Sequence, residues 1–142
     1  MTQRERYYRG LFAVAAVYDI VLGVIFLFFG RWAFDRLGIA EKYPEGGFLP
    51  LIGGFVLVLG IGYWLIWRSD LWRNRDLVAV GALYKLAYSG VGVVIAVVDE
   101  VPHALFLWGF GIADAVFFVL MVECIVWLYR QHRPAREVPV VG

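Results

Sequence analysis

The stretch LVAVGALYKLAYSGVGVVIAVV, residues 77–98, holds one charged side chain, Lys85, in an otherwise uncharged run. A helix crossing the hydrocarbon core of a bilayer needs about 20 mostly apolar residues, and this run meets that length. Three other stretches meet the same criterion: 10–29, 48–67 and 104–129. The composition agrees, because 62% of the chain is hydrophobic and the mean hydropathy is +0.74, whereas a soluble domain is only about half apolar. Loops and tails take up the rest, which leaves little material for a soluble domain. The sequence predicts an all-α fold: an integral-membrane four-helix bundle of up-down topology, a single transmembrane domain over 1–142 with both termini cytoplasmic.

Arg4, Arg6 and Arg9 before the first run resemble the basic start of a signal peptide. The apolar run that follows lasts about twenty residues, longer than the roughly 7–15 of a signal core, so the helix is expected to be retained. Cys124 is the only cysteine. It excludes a disulfide framework within one chain and has no metal-ligand or lipid-attachment neighbourhood.

Orientation follows from the basic residues. Arg4, Arg6 and Arg9 lie before the first span, Arg68, Arg73 and Arg75 in the second loop, and Arg130, Arg133 and Arg136 after the last span. The first loop has Arg31, Arg36 and Lys42, offset by Asp35, Glu41 and Glu45, and the third has Asp99 and Glu100 with no cation. Nine cations against three, in alternation, place both termini in the cytoplasm by the positive-inside rule. Tyr7, Tyr8, Trp32, Trp64, Trp67, Trp72, Trp108, Trp127 and Tyr129 cluster toward span ends. Interfacial anchoring of amphipathic rings explains them better than ligand stacking.

The loop RSDLWRNRD (68–76) is short, with Asp76 placed to cap the third helix. VDEVPHAL (98–105) puts Pro102 near the start of the fourth. GRWAFDRLGIAEKYPEGG (30–47) is longer and predicts a short interfacial helix with Trp32, Leu37 and Ile39 toward lipid and Arg31, Asp35 and Arg36 toward water. It is the expected lid or partner-binding segment. The tail RPAREVPVVG (133–142) is expected to be mobile, having two prolines and few neighbours.

Three charges fall inside the predicted spans. Lys85 lies about nine residues past the cytoplasmic start of its helix, roughly 13 Å deep at 1.5 Å per residue. Asp19 lies at a similar depth on the first span, and Asp114 near the middle of the fourth. Isolated, each would cost about 2.5–3.5 kcal/mol, roughly 8–10 kcal/mol together, so they are expected to face the bundle interior and meet. Helical spacing supports this. Gly81, Lys85, Tyr88, Ser89 and Gly92 form one stripe, Ala15, Ala16, Asp19 and Gly23 another, and Gly111 and Asp114 are i,i+3 neighbours. The second span offers Gly53, Gly60, Gly62 and Tyr63 as a close-packing face. The candidate ligand-binding or buried polar cluster is Asp19, Tyr63, Lys85, Tyr88, Ser89 and Asp114. Two carboxyls and one ammonium do not balance: either one carboxyl is protonated, or a second cation enters. Glu123, nine residues past Asp114 and near the cytoplasmic end, points away from the cluster and is expected at the interface or bonded to Arg130 or a loop arginine.

Other chemistry finds no support. His103 and His132 lie at opposite membrane faces, too far apart for one metal or haem. GFGIAD (109–114) follows no strand and reads as packing glycines. AYSGVG (87–92) lacks the glycine before a nucleophile elbow, and no histidine is near Ser89. No catalytic residues, metal ligands, cofactor or nucleic-acid partner are expected, and the basic tails suit anionic lipid.

YDIVLG (18–23), GIGYWL (60–65), RSDLWRNRDLVAVGALYKL (68–86) and GIADAVFFVL (111–120) together resemble small bacterial four-span membrane proteins, including DoxX-like members. The resemblance implies a four-helix bundle in a bacterial inner membrane and transfers no catalytic residues. Four-span sterol-isomerase-like proteins share the architecture, but their acidic and histidine constellation is not evident. Two functions are expected. The first is a noncatalytic accessory subunit of a larger membrane assembly, with other membrane-protein subunits or further copies as partners. The alternative is a binding or transfer protein for a lipophilic molecule with a polar head, such as a quinone, isoprenoid or amine, at the Asp/Lys/Asp cluster. Proton transfer by a Lys–Asp pair ranks third.

Overall fold

In a computed structural model, residues 2–98 and 101–132 are described. The expectations for Asp99 and Glu100 and for the tail 133–142 lie outside the described residues. Helices α1 (Gln3–Phe28), α3 (Phe48–Arg68) and α4 (Arg75–Val98), and a fourth stretch joining a π-helical segment Leu105–Gly111 to α5 (Ile112–Gln131), are long and apolar enough to cross a membrane. A short α2 (Gly30–Arg36) and a 3-10 turn, Ala40–Lys42, form the first loop.

Helix α1 begins two turns before the expected span, because Thr2 caps it: the Thr2 hydroxyl accepts from the Glu5 N–H at 3.1 Å. Gly46 and Gly47 have φ of +76° and +77° and turn the chain into α3, a conformation that side-chain-bearing residues rarely adopt. Pro50 lies in the first turn of α3, where no intrahelical acceptor awaits its missing N–H. Asp70, not Asp76, caps the second loop: its carboxylate accepts from the Arg73 N–H at 2.9 Å. Helix α4 starts one residue ahead of Asp76, which is therefore inside the first turn.

The bundle consists of two helix pairs, α1 with α3 and α4 with the fourth span, in which backbone approach is concentrated. Gly23, Gly53 and Gly60 make the first pair close: a Cβ on Gly53 would lie 2.5 Å from the Leu27 nitrogen, and one on Gly23 2.6 Å from the Leu57 nitrogen. Gly62 is not part of this face, since a Cβ there meets nothing within 4 Å. Between the pairs the core is built from side chains, among them Phe12, Tyr63, Ile66, Val78, Met121 and Cys124. Arg9 of α1 bonds to the Trp67 carbonyl at the end of α3, and Trp72 before α4 packs on Tyr129 near the end of α5. Successive spans thus run up and down.

At the other end, α2 closes the bundle. Phe34 and Ile39 are buried with Phe26 and Leu49, and Phe106 and Phe110 pack against them. Ile39 therefore points into the core and not toward lipid as expected. Trp32 remains 56% exposed. Both Trp32 and Phe34 are apolar aromatics, and only the tertiary contact with Phe106 selects the face that carries Phe34 as the inward one.

Candidate functional site

Asp19, Lys85 and Asp114 meet in the bundle interior. Lys85 Nζ donates to Asp19 Oδ1 at 2.6 Å and lies 2.9 Å from Asp114 Oδ1. The second contact is an ion pair, and Asp114 Oδ1 has no hydrogen-bond partner of good geometry among the described residues. The triad joins α1, α4 and α5, and α3 supplies Tyr63. Lys85 and Asp19 are 0% exposed and Asp114 3%, so the cluster is closed to both solvent and lipid in this conformation.

Aromatic rings form its wall. Nζ lies 4.9 Å from the ring centre of Tyr18, 5.0 Å from Tyr84, 5.4 Å from Phe117 and 5.7 Å from Tyr63. All four are within the roughly 6 Å over which a ring face attracts a cation. The ammonium is thus held by two carboxyls and surrounded by quadrupoles, which offset part of its lost hydration. Asp19 Oδ2 and Tyr18 Oη are buried without a hydrogen-bond partner among the described residues. Sequence reasoning missed Tyr18, Tyr84 and Phe117. Tyr18 and Tyr84 precede Asp19 and Lys85 by one position and so fall off the i,i+3,i+4 stripe, although a long ring reaches around the helix. Phe117, three residues after Asp114, was the available signal.

The other expected members sit at the margin. The Tyr63 ring lies over Gly81, where a Cβ would come within 2.5 Å of it, and its hydroxyl donates to the Gly81 carbonyl at 3.0 Å. Ser89 Oγ donates to the Gly111 carbonyl at 3.0 Å, where the wide π turn gives way to α-helix. Tyr88 lines an apolar groove of about 200 Å³ together with Val91, Ile95, Phe106 and Leu107. The π segment is a departure from the expected regular helix; π turns inside helices are frequent at functional sites. Here it delivers Asp114 into the first turn of α5.

Glu123 is exposed and outside the triad. Of the two expectations for it, interface or arginine partner, its exposure fits the first, and it accepts from Tyr8 Oη at 3.0 Å. The extra N-terminal turns of α1 bring Tyr8 alongside the end of α5. His132 stacks on Trp72 with ring centres 3.9 Å apart, and His103 Nδ1 accepts from the Leu105 N–H at 3.1 Å.

The charge count predicts a specific coupling. Asp19→Asn or Asp114→Asn leaves Lys85 one carboxylate, so each alone is expected to cost less than the roughly 3–5 kcal/mol of a buried charge left with no partner. Together they strand the ammonium and are expected to cost more than the sum. Unfolding in mixed micelles with increasing SDS measures all three variants, and strict additivity would contradict the shared-charge geometry. Comparison of the chain with family models, with curated proteins and with solved structures gives no match.

Proposed function

We propose that the chain is a noncatalytic accessory subunit of a larger membrane assembly, set in a bacterial inner membrane with both termini in the cytoplasm. The observation that carries this reading is the closure of the triad. Every charged group within the bundle is occupied in joining α1, α4 and α5, which leaves apolar helix faces for recognition. On the outer half of α4, Val91, Val93, Val94, Val97 and Val98 are 58–81% exposed. Such a face suits van der Waals packing against the helices of a neighbouring protein. The resemblance to small bacterial four-span proteins supports the same placement.

The test is a native mass spectrum of the protein extracted from its own membrane in mild detergent. Stable association with other polypeptides is the expected outcome, and a lone chain carrying a reproducible small-molecule mass would replace this reading with the second one. That alternative, a carrier of a lipophilic molecule with a polar head, is favoured by one observation: the apolar groove at Tyr88 lies one helical turn from Lys85. The orientation is tested separately. Glu41→Cys and Gln3→Cys sit on exposed positions at opposite ends of the bundle, and an impermeant thiol reagent outside spheroplasts is expected to label only the first.

A further inference from the structure

The cytoplasm-assigned end of the bundle holds a second polar feature that the triad does not use. An open cleft of about 540 Å³ lies between the start of α1 and the end of α3, lined by Arg6, Arg9, Gly10, Trp67 and Arg68. We propose that this cleft binds the phosphate group of one anionic phospholipid, gripped by the three arginines against Trp67. The inference stands whether or not the bundle joins a larger assembly.

The arginines have different roles. Arg9 is fixed in place, with Nη1 donating to the Trp67 carbonyl and Nη2 to Glu5 Oε1, both at 3.3 Å. Its Nε is buried without a partner among the described residues, so its donor set is incomplete. Arg6 and Arg68 are exposed, and among the described residues neither forms an ion pair. Three guanidinium groups against one carboxylate give the cleft a clear positive excess. The planar fork of arginine matches phosphate oxygens two at a time.

Geometry selects a lipid over a free anion. Gly10 leaves the mouth open, since a Cβ there would meet nothing within 4 Å. Trp67 packs edge-on to Trp64 at 4.6 Å, the kind of aromatic rim that sits at headgroup depth. Val14 and Val17 on α1 and Ile61 and Leu65 on α3 are exposed toward the hydrocarbon side of the same helices, where acyl chains can lie. A free phosphate ion offers the same oxygens and gains nothing from those apolar surfaces.

The experiment uses the purified full chain in mild detergent with phosphatidylglycerol or phosphatidylcholine added, read by native mass spectrometry. One phosphatidylglycerol per chain is expected to bind in preference. Each arginine near an anionic surface strengthens binding about five-fold, so Arg6→Gln/Arg68→Gln is expected to weaken it about 30-fold. Both side chains are exposed, so the unfolding of the variant should match that of the parent; if it does not, Arg68→Gln alone is expected to weaken binding about five-fold. Equal retention of phosphatidylcholine, or unchanged binding in the variants, would overturn the proposal. Displacement of the lipid by an equal concentration of inorganic phosphate would also overturn it, and would assign the cleft to the free anion.

Discussion

Replacing Lys85 by methionine is expected to destabilise the bundle by about 3–5 kcal/mol, the cost of removing one partner from a buried ion pair. Methionine fills nearly the same volume, so the loss comes from charge and not from a cavity. Asp19 and Asp114 would face one another with no cation, among rings that hydrogen-bond to neither carboxyl. The triple variant Lys85→Met/Asp19→Asn/Asp114→Asn removes every charge with little change in shape, and is expected to recover most of the lost stability, because apolar replacements of buried ion networks are often neutral. SDS-titrated unfolding compares the two. The triple variant also separates the two functional readings: a subunit whose triad is a pin should still co-purify with its partners, whereas a carrier using the charges should fold and lose its ligand. A triple variant as unstable as the single one would mean that packing around Lys85, and not charge balance, holds the site.

Much of this architecture is legible in the sequence, and the limits have physical causes. Hydropathy alone locates four spans, because hydrocarbon imposes the length of a spanning helix whatever its neighbours. The cost of an unpaired charge in that medium is by itself enough to require that Asp19, Lys85 and Asp114 come together. The π turn at Leu105–Gly111 is not legible, since an α and a π turn of the same residues have the same hydropathy. Nor is the inward face of α2: Phe34 and Ile39 are chosen over Trp32 only by contact with Phe26, Leu49 and Phe106, which lie on other elements. The second-span glycines read as one packing face, yet Gly62 lies off it while Gly53 and Gly60 touch α1. Spacing identifies the stripe, and only the partner helix decides which of its members are in contact.

That distinction yields the second large effect. Gly53→Ala is expected to destabilise the protein by about 1–3 kcal/mol, within the usual range for overpacking, whereas Gly54→Ala, one residue on, should change little. The new methyl on residue 53 would meet backbone, the Leu27 nitrogen at 2.5 Å and the Gly23 carbonyl oxygen at 2.9 Å, and backbone can yield only if α1 and α3 move apart. A methyl on residue 54 meets nothing within 4 Å. The contacts are reciprocal, because a Cβ on Gly23 would lie 2.9 Å from the Gly53 oxygen. One separation of the helices relieves both, so Gly23→Ala/Gly53→Ala is expected to cost less than the sum of the singles. Gly60→Ala tests whether this seam also positions the triad. Its methyl would press on the Ile20 nitrogen at 2.7 Å and the Asp19 carbonyl carbon at 3.1 Å, moving Asp19 from a Lys85 contact that is only 2.6 Å long. In the Asp19→Asn background that contact is already weakened, so Gly60→Ala should cost measurably less there than in the parent. Equal costs in the two backgrounds would show that the glycine seam and the ion triad are energetically independent.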